Sequence, residues 1–273
     1  MSVWFITGAS RGFGRVWAEA ALDRGDKVAA TARNLSTLDP LVEAYGEAVL
    51  PIQLDVTDRD AAFAAVAAAH ERFGRLDIIV NNAGYGHFGL VEELTEQEVR
   101  AQLETNLFGA LWVTQAALPY LRRQRSGHIL QVSSVGGIVA FPLLGAYHAS
   151  KWALEGLSQS LAQEVAAFGV KVTLVEPGPF GTDWSGASAQ HSTPLEEYGD
   201  VRREIVEARR IRSRTLSSSP ETTAQAILAL VDAEEPPLRM FLGRTPFASA
   251  VAEYGARMQA WAQWQPIAES AED

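Results

Sequence analysis

The chain has 273 residues, 47% of them hydrophobic, and a formal net charge of −10. This acidic balance argues against a protein built to bind nucleic acid, and the absence of cysteine excludes disulfides, thiolate metal sites and a cysteine nucleophile. No apolar run approaches the roughly 20 residues of a membrane span, and the first residues favour a strand over a signal peptide, so we expect a cytoplasmic protein.

A strand, a glycine turn and a helix follow one another at the start of the chain. Residues 3–7 are rich in β-branched and aromatic side chains, and a helical pattern of apolar residues begins near Trp17. Between them, glycines spaced Gly-x3-Gly-x-Gly would let the backbone approach a pyrophosphate at the helix start. This order predicts a dinucleotide-binding loop, although such glycines also form plain turns. The candidate cofactor contacts in the loop are Gly8, Ser10, Arg11, Gly12, Phe13 and Gly14.

Arg33 follows the predicted second strand, residues 27–32. In a dinucleotide-binding fold, an acidic residue at this position binds the adenosine ribose, whereas an arginine accommodates a 2′-phosphate. Arg33 and Arg11 could form a charge-assisted clamp on that phosphate. The pair predicts a preference for NADP(H) over NAD(H), with two solvated surface arginines as the alternative.

Polar and small residues follow the third and fourth predicted strands, residues 49–54 and 78–81. At the carboxyl edge of a sheet, Asp55 could hydrogen-bond an adenine ring or serve as a turn residue. The asparagine, alanine and glycine after the fourth strand suit either the close approach of a flat ligand or the capping of exposed backbone groups. The candidate cofactor contacts here are Asp55, Val56, Asn82, Ala83 and Gly84.

A long helical pattern covers residues 96–123, with Thr95 as a plausible cap and Asn106 in its middle. Asparagine is unfavourable inside a helix because its side chain competes for backbone hydrogen bonds. Asn106 therefore indicates either a solvent-facing position or a local irregularity of the helix.

Tyr147 and Lys151 lie four residues apart at the start of the next predicted helix, and therefore share one of its faces. A nearby ammonium group stabilises tyrosinate, and bringing a phenol from a pKa of about 10 to neutrality takes about 4 kcal/mol. Taken alone, the pair is more often a core tyrosine and a solvated lysine. Upstream, the predicted fifth strand, residues 129–132, ends at two serines, whose hydroxyls would face the crevice where doubly wound sheets bind ligands.

The remaining pattern completes one α/β domain. It comprises a sixth strand at 171–175, a loop at 185–193, a charged segment at 195–214, a helix at 220–233, a strand at 238–242 and a helix at 247–264. The arginines of the charged segment alternate with glutamates, which favours a solvated helical face over the alternative of an anion site. We predict a doubly wound, Rossmann-like fold with a seven-stranded parallel sheet over residues 1–273. Trp261 and Trp264 are expected in the core or in a subunit interface.

Taken together, these motifs resemble the short-chain dehydrogenase/reductase family over nearly the whole length to about residue 185. The resemblance is carried by the glycine loop, the Asn-Asn-Ala-Gly at 81–84, the YxxxK pair and Pro177-Gly178. In this family the catalytic serine precedes the tyrosine by thirteen positions, which selects Ser134 over Ser133. Residues 134–147 and the Glu-Pro-Gly at 176–178 look most like the hydroxysteroid dehydrogenase and retinol dehydrogenase-like branch.

The resemblance implies a role for each catalytic candidate. Tyr147 would be the general acid or base, and Lys151 would lower its pKa and bind the nicotinamide ribose. Ser134 would polarise the substrate carbonyl, while Asn106 would distort its helix and position a water that relays protons to Lys151. The residues at the nicotinamide end of the cofactor would be Pro177, Gly178 and Thr182.

The implied activity is an NADPH-dependent carbonyl reductase, or an alcohol dehydrogenase in reverse, for a bulky apolar ketone, aldehyde or alcohol. Alternatives are an NAD-dependent dehydrogenase of steroid-like or retinoid-like alcohols, and a non-catalytic NADP-sensing regulator. We expect a lid at 185–215, a helical extension at 245–273, a homodimer or homotetramer, and no catalytic role for His148, which should point elsewhere. The expected pocket residues are His87, Phe88, Val135, Phe141, Leu144 and Trp184.

Overall fold

The computed structural model describes residues 1–182, 184, 186 and 188–271, with the backbone alone for residues 212–216. Residues 185 and 187 of the predicted lid, and the side chains of residues 212–215 within it, therefore lie outside the described residues. Residues 272 and 273 of the predicted C-terminal extension do so as well.

The described residues contain nine strands and nine α-helices. The strands are β1 (Val3–Ile6), β2 (Lys27–Ala32), β3 (Val49–Gln53), β4 (Ile78–Asn81), β5 (His87–Phe88), β6 (Gly127–Val132), β7 (Val170–Pro177), β8 (Gln190–His191) and β9 (Arg239–Leu242). The helices are α1 (Gly12–Asp23), α2 (Asp39–Tyr45), α3 (Arg59–Phe73), α4 (Glu96–Leu103), α5 (Gly109–Gln124), α6 (Gly145–Val165), α7 (Gly199–Leu216), α8 (Ala224–Asp232) and α9 (Pro246–Glu269).

Seven of the strands in the described part of the chain form one parallel sheet in the order β3-β2-β1-β4-β6-β7-β9. The order reverses direction between β1 and β4, which places a crevice at the carboxyl ends of these strands. The predicted doubly wound parallel sheet is therefore confirmed. Within β1, Trp4 and Ile6 belong to the core on one face and Phe5 to the core on the other, because successive side chains of a strand alternate.

The predicted helix at 96–123 is interrupted. Thr95 caps α4 through a reciprocal pair of hydrogen bonds with Glu98, and a π-helical turn, Glu104–Phe108, separates α4 from α5. Asn106 lies inside that turn and is buried, so the irregularity is present and the solvent-facing alternative is wrong.

A second, smaller sheet was not predicted. β5 and β8 pair in parallel over two residues each, which is too short for a sequence pattern. This pair joins the segment after β4 to the segment that leads into α7.

The C-terminal helix α9 is longer than predicted and leaves the body of the protein. Trp261 and Trp264 are 60% and 62% exposed. A place in the core of this chain is therefore excluded for both, and a place in a subunit interface stays a prediction. No helix in the described segments is long and apolar enough to cross a membrane.

The three glycines of the turn after β1 occupy positions that disfavour any side chain. Gly8 and Gly12 have positive φ angles of 66° and 57°, which favour glycine. Gly14 packs so closely that an added Cβ would lie 2.4 Å from the Gly8 carbonyl oxygen and 2.5 Å from Asn82 Nδ2. The first helix can therefore approach β4 only with glycine at this position.

We expect Gly14→Ala to destabilise the protein by about 1–3 kcal/mol, the usual cost of overpacking, because one neighbour is a backbone carbonyl and the other is a side-chain amide held by two hydrogen bonds. Gly156→Ala is the matched control. Nothing lies within 4 Å of a Cβ at Gly156, which is inside α6, so this variant should gain about 0.5–1 kcal/mol from reduced chain entropy. Urea unfolding of the three proteins measures both changes, and equal stability of the two variants would contradict the packing argument.

Candidate active site

A cleft of about 1480 Å³ lies at the carboxyl edge of the sheet, between the glycine loop, the ends of the central strands, the start of α6 and helix α7. It contains every predicted cofactor contact except Gly14, which lies behind the loop and packs against it. The predicted contacts other than Gly14 therefore line one groove, Gly14 packs against Gly8 and Asn82, and contact with a cofactor stays a prediction.

Asn82 joins the glycine loop to the end of β4. Its Nδ2 donates to the carbonyls of Thr7 and Gly8 at 2.9 and 3.1 Å, and the Thr7 hydroxyl accepts the backbone N–H groups of Asn82 and Ala83 at 2.9 Å. These contacts support the capping interpretation of Asn82. They also hold the cleft wall rigid where a flat ligand would approach.

The distal end of the groove contains Asp55, Arg33 and Arg11. Asp55 Oδ1 accepts hydrogen bonds from the backbone and hydroxyl of Thr57 at 3.0 and 2.8 Å, so it forms the turn that the sequence left open. Arg33 is exposed on the cleft rim. Arg11 Nη2 donates to Ser188 Oγ at 2.5 Å, which directs this guanidinium to the segment before β8.

Tyr147, Ser134 and Lys151 meet at the floor of the cleft. Tyr147 and Lys151 are buried on the same face of α6, while Ser134 is half-buried just after β6 and hydrogen-bonds to Tyr147. Lys151 Nζ donates to the Val132 carbonyl at 2.7 Å and lies 5.9 Å from the centre of the Tyr147 ring. The fold thus brings the Ser134 hydroxyl, thirteen residues earlier in the chain, to the phenol of Tyr147, which shares a helix face with the ammonium group of Lys151.

The expectation that Lys151 brings Tyr147 near neutrality is not met in this structure. Burial raises the pKa of Tyr147 to about 12, and only the hydrogen bond with Ser134 opposes that rise. Burial likewise lowers the pKa of Lys151 to about 8, although the charge of Glu155 opposes the change. Sequence spacing showed which groups are neighbours but not that water is excluded from both.

Asn106 lies behind the cleft wall, on the far side of Gly84. Its Oδ1 accepts the backbone N–H of Tyr85 at 3.1 Å, and its Nδ2 donates to the Tyr85 carbonyl and to Ser150 Oγ, both at 3.1 Å. A Cβ on Gly84 would lie 3.0 Å from Asn106 Oδ1 and 3.7 Å from Lys151 Nζ. The amide therefore fixes the segment that separates it from the lysine.

His148 reaches the cleft wall, contrary to our expectation that it points elsewhere. Its Nε2 accepts the backbone N–H of Phe141 at 2.8 Å, so its Nδ1 carries the proton and donates to the Gly136 carbonyl at 2.7 Å. Burial lowers the pKa of this imidazole, which keeps it neutral. His148 therefore fixes the apolar loop that follows Ser134 through hydrogen bonds at Gly136 and at Phe141.

Two buried carboxyl groups behind Lys151 were missed by the sequence reasoning. Glu155 lies one turn after the lysine on α6, and Glu176 is the last residue but one of β7. Arg239 Nε lies 2.9 Å from Glu155 Oε2 and 3.5 Å from Glu176 Oε1. Burial, followed by repulsion from Glu155, raises the pKa of Glu176 to about 8, and burial raises that of Glu155. Both carboxyl groups are buried and repel each other, so the pair is most stable when it shares a proton.

Aromatic side chains line the other end of the cleft. The Trp184 ring lies 4.9 Å from that of Tyr147 and 5.4 Å from that of Phe88. Of the predicted pocket residues, Phe88 is buried behind Trp184, whereas the other members contact the cleft directly: His87, Val135, Phe141, Leu144 and Trp184.

Helix α7 is the predicted solvated face for most of its described residues, but two of its arginines are exceptions. Arg202 pairs with the buried carboxylate of Glu93, and Arg209 lines the cleft with its guanidinium carbon 4.1 Å from the centre of the Phe88 ring. Arg203 and Arg210 do face solvent, each beside an acidic residue of the same helix. The exceptions depend on partners from elsewhere in the chain, which the alternation of charges cannot reveal.

The described residues contain no cluster of three or more His, Asp or Glu side chains that could hold a metal ion. The groove is instead lined by glycines, small residues and hydroxyl groups. This lining fits an elongated organic ligand whose phosphates lie at the start of α1.

Comparison with known proteins gives a consistent result. The family model for short chain dehydrogenase matches residues 2–193. Oxidoreductase BOA17 from Botryotinia fuckeliana is 48% identical over 242 residues, covering 88% of this chain and 88% of that protein. The 3-ketodihydrosphingosine reductase of Bacteroides thetaiotaomicron is 37% identical, covering 87% and 86%, and human 17-beta-hydroxysteroid dehydrogenase type 1 is 36% identical, covering 88% and 77%.

Solved structures match over most of the chain as well. A short-chain dehydrogenase from Streptomyces avermitilis superposes with a TM-score of 0.91 at 38% identity, covering 99% of this chain and 100% of that one. An alcohol dehydrogenase from Thermococcus sibiricus, complexed with 5-hydroxy-NADP, superposes with a TM-score of 0.74 at 28% identity, covering 89% and 96%.

The carboxyl pair predicts a specific pH dependence of stability. A folded-state pKa of about 8 for Glu176, against an ordinary 4.5, means that the folded state holds a proton that the unfolded state has lost within this window. Stability contributed by this group is therefore present below pH 4.5 and is lost as the pH rises to about 8. In Glu176→Gln, the amide supplies a permanent donor to Glu155 and this loss should disappear.

Between pH 5 and pH 8 the wild type should lose stability that Glu176→Gln keeps. We therefore expect the Tm of the variant minus the Tm of the wild type to increase over this range, by about 2–4 °C for each kcal/mol recovered. Glu235→Gln, at an exposed position, is the control and should show a constant difference. Calorimetry across this range makes the comparison. A difference for Glu176→Gln that does not change with pH would show that the pair shares no proton.

Proposed function

Because the chain belongs to the short-chain dehydrogenase family, we propose that it interconverts a hydrophobic ketone or aldehyde and its alcohol with NADP(H). Membership of the family makes it an oxidoreductase. The observation that carries the finer proposal is the meeting of Tyr147, Ser134 and Lys151 at the floor of the cleft, between the glycine-lined groove and the aromatic pocket.

In reduction, Tyr147 acts as the general acid. A phenol whose pKa is raised to about 12 stays protonated at neutral pH and can deliver its proton to a carbonyl oxygen that gains negative charge. Ser134 donates a hydrogen bond to the same oxygen and holds it beside the phenol. A bound nicotinamide supplies the hydride.

Lys151 and Asn106 support this proton transfer from below. The ammonium group of Lys151 stabilises the tyrosinate that remains after the proton has left, and it also binds the ribose next to the nicotinamide. Asn106 acts as a positioning residue, because it holds the backbone at Tyr85, next to the Gly84 that borders Lys151. The relay water of this proposal would lie against that backbone segment, on the side of Lys151. This path through Lys151 and the relay water would return a proton from solvent to the phenol of Tyr147.

The proposed cofactor is NADP(H). Arg33 on the rim of the groove supports this choice, since its guanidinium can pair with a 2′-phosphate and no acidic residue takes its position. The Thermococcus sibiricus relative was solved with 5-hydroxy-NADP, which supports a nicotinamide dinucleotide in the groove. The proposed contacts from the phosphates to the nicotinamide are Gly8, Ser10, Arg11, Gly12, Phe13, Asp55, Val56, Asn82, Ala83, Gly84, Pro177, Gly178 and Thr182.

The proposed substrate is bulky and largely apolar. Trp184, Phe88 and Leu144 form one packed cluster with Tyr147, so the reacting carbon would lie against aromatic and aliphatic surface. The relatives named for 3-ketodihydrosphingosine and a 17-beta-hydroxysteroid support the same class of substrate. The homodimer or homotetramer and the cytoplasmic location stay predictions.

The test of this function is Tyr147→Phe. This variant removes only the proton donor, so we expect kcat for reduction of a broad panel of hydrophobic ketones and aldehydes to fall at least 100-fold, the lower range for general acid catalysis. NADPH binding, followed by fluorescence, should be unchanged. Tyr120→Phe, on the surface of α5, is the matched control and should keep full activity; retained turnover in Tyr147→Phe would refute the mechanism.

Arg33→Ser tests the choice of cofactor. Loss of a charge-assisted pair with the 2′-phosphate should raise KM for NADPH about 10-fold or more, at about 1.4 kcal/mol per tenfold change, and leave KM for NADH unchanged. Arg100→Ser, whose guanidinium pairs with Glu96 on the surface of α4, should affect neither value. Equal KM values for the two cofactors in the wild type would contradict the preference.

A further inference from the structure

We infer that Arg209 forms an anion-recognising subsite at the far end of the substrate pocket, so that the preferred substrates are hydrophobic oxo acids whose carboxylate pairs with this guanidinium. The inference deepens the proposed function and rests on it for the reaction, but not for binding.

Arg209 lies at the aromatic end of the cleft. Its guanidinium carbon lies 4.1 Å from the centre of the Phe88 ring and 5.7 Å from that of Trp184, and the residue lines the cleft. The Trp184 ring in turn lies 4.9 Å from that of Tyr147. A single indole therefore separates the proposed proton donor from a cation that faces the same cavity.

Arg209 differs from the other arginines whose side chains are described on α7 in its lack of a paired carboxylate. Arg202, Arg203 and Arg210 each pair with a carboxylate, from Glu93, Asp200 and Glu207 respectively. Among the residues that the structure describes, no carboxylate and no hydrogen-bond acceptor pairs with Arg209. On this helix the one described arginine that is turned into the cleft is also the one left without an anion.

The nearby acidic side chain in the cleft wall is already engaged. Glu98 accepts hydrogen bonds from the backbone N–H of Thr95 at 2.8 Å and from Ser192 Oγ at 3.1 Å, and it lies 3.7 Å from His87 Nε2. Its charge is thus committed to the start of α4 and to the β5–β8 segment. It does not serve as the partner of Arg209.

The surroundings of Arg209 suit a carboxylate. The guanidinium is half-buried and no carboxylate of the described residues pairs with it, so its charge is incompletely compensated until an anion arrives. Burial accordingly lowers its pKa. Aromatic faces hold a guanidinium by its plane and leave its N–H edge free for a bidentate pair. A substrate would place its carbonyl oxygen between Tyr147 and Ser134, its apolar body along Trp184, and its carboxylate at Arg209.

The first experiment measures kcat/KM with NADPH for ω-oxo-ω-phenylalkanoic acids from four to seven carbons and for their methyl esters. We expect the wild type to prefer at least one acid over its ester by tenfold or more, with an optimum in chain length. In Arg209→Gln the preference should vanish because turnover of the acid falls and that of the ester does not. Arg209→Lys, which keeps the charge but not the fork, should retain part of it.

Arg210→Gln is the matched control, because the neighbouring guanidinium pairs with Glu207 at the surface. It should leave the ratio of acid to ester unchanged. An ester turned over as well as its acid by the wild type at every chain length, or an equal loss for acid and ester in Arg209→Gln, would overturn the inference.

The second experiment separates this inference from the proposed reaction. Isothermal titration calorimetry compares the binding of 4-phenylbutanoate and 4-phenylbutanamide to the NADPH-loaded protein, which requires no turnover. We expect the carboxylate to bind at least tenfold more tightly, and Arg209→Gln to abolish the difference. If this holds while no ketone is reduced, the reaction is wrong and the subsite stands; equal affinities would overturn the subsite even if ketones are reduced.

Discussion

Burial of the Lys151 ammonium group is the constraint around which the site is arranged. An isolated cation removed from water would be costly, and the fold offsets this with the Val132 carbonyl at 2.7 Å and with the charge of Glu155 one helical turn away. Glu155 is on α6 itself, whereas the Val132 carbonyl can be reached only if α6 lies directly against the end of β6. The same placement buries Tyr147 and sets Ser134 beside it, so the position of one ammonium group fixes the relation between the strand and the helix.

Much of the fold was readable from the sequence because its signals are local. The limits of β2 and β4, the cap at Thr95 and the irregular helix at Asn106 follow from propensities that act over a few residues. The strand, glycine turn and helix that border the groove were predicted in the same way, from residues adjacent in the chain. The pairing of Tyr147 with Lys151 needed only the helical period.

What the sequence could not show depends on contacts between distant segments. The pKa of Tyr147 depends on the burial of the whole site. The contact between Arg209 and Trp184 joins two separate segments, and no sequence period marks it. Gly14 was assigned to the ligand, although its tight contact is with Gly8 and Asn82. For Trp261 the sequence left a core and an interface position open, and its 60% exposure on a helix that leaves the body excludes the core alone.

The small β5–β8 sheet has a consequence for how ligands enter and leave. The segment before α7 is held to the body by peptide hydrogen bonds, from Gln190 N to the Gly86 carbonyl at 3.0 Å and from Ser192 N to the Phe88 carbonyl at 2.9 Å. A lid held only by side chains could swing away without exposing any amide. Here, any opening of this segment would break two backbone hydrogen bonds, so hydrogen–deuterium exchange at these two amides reports the free energy of opening, whether or not a reaction follows.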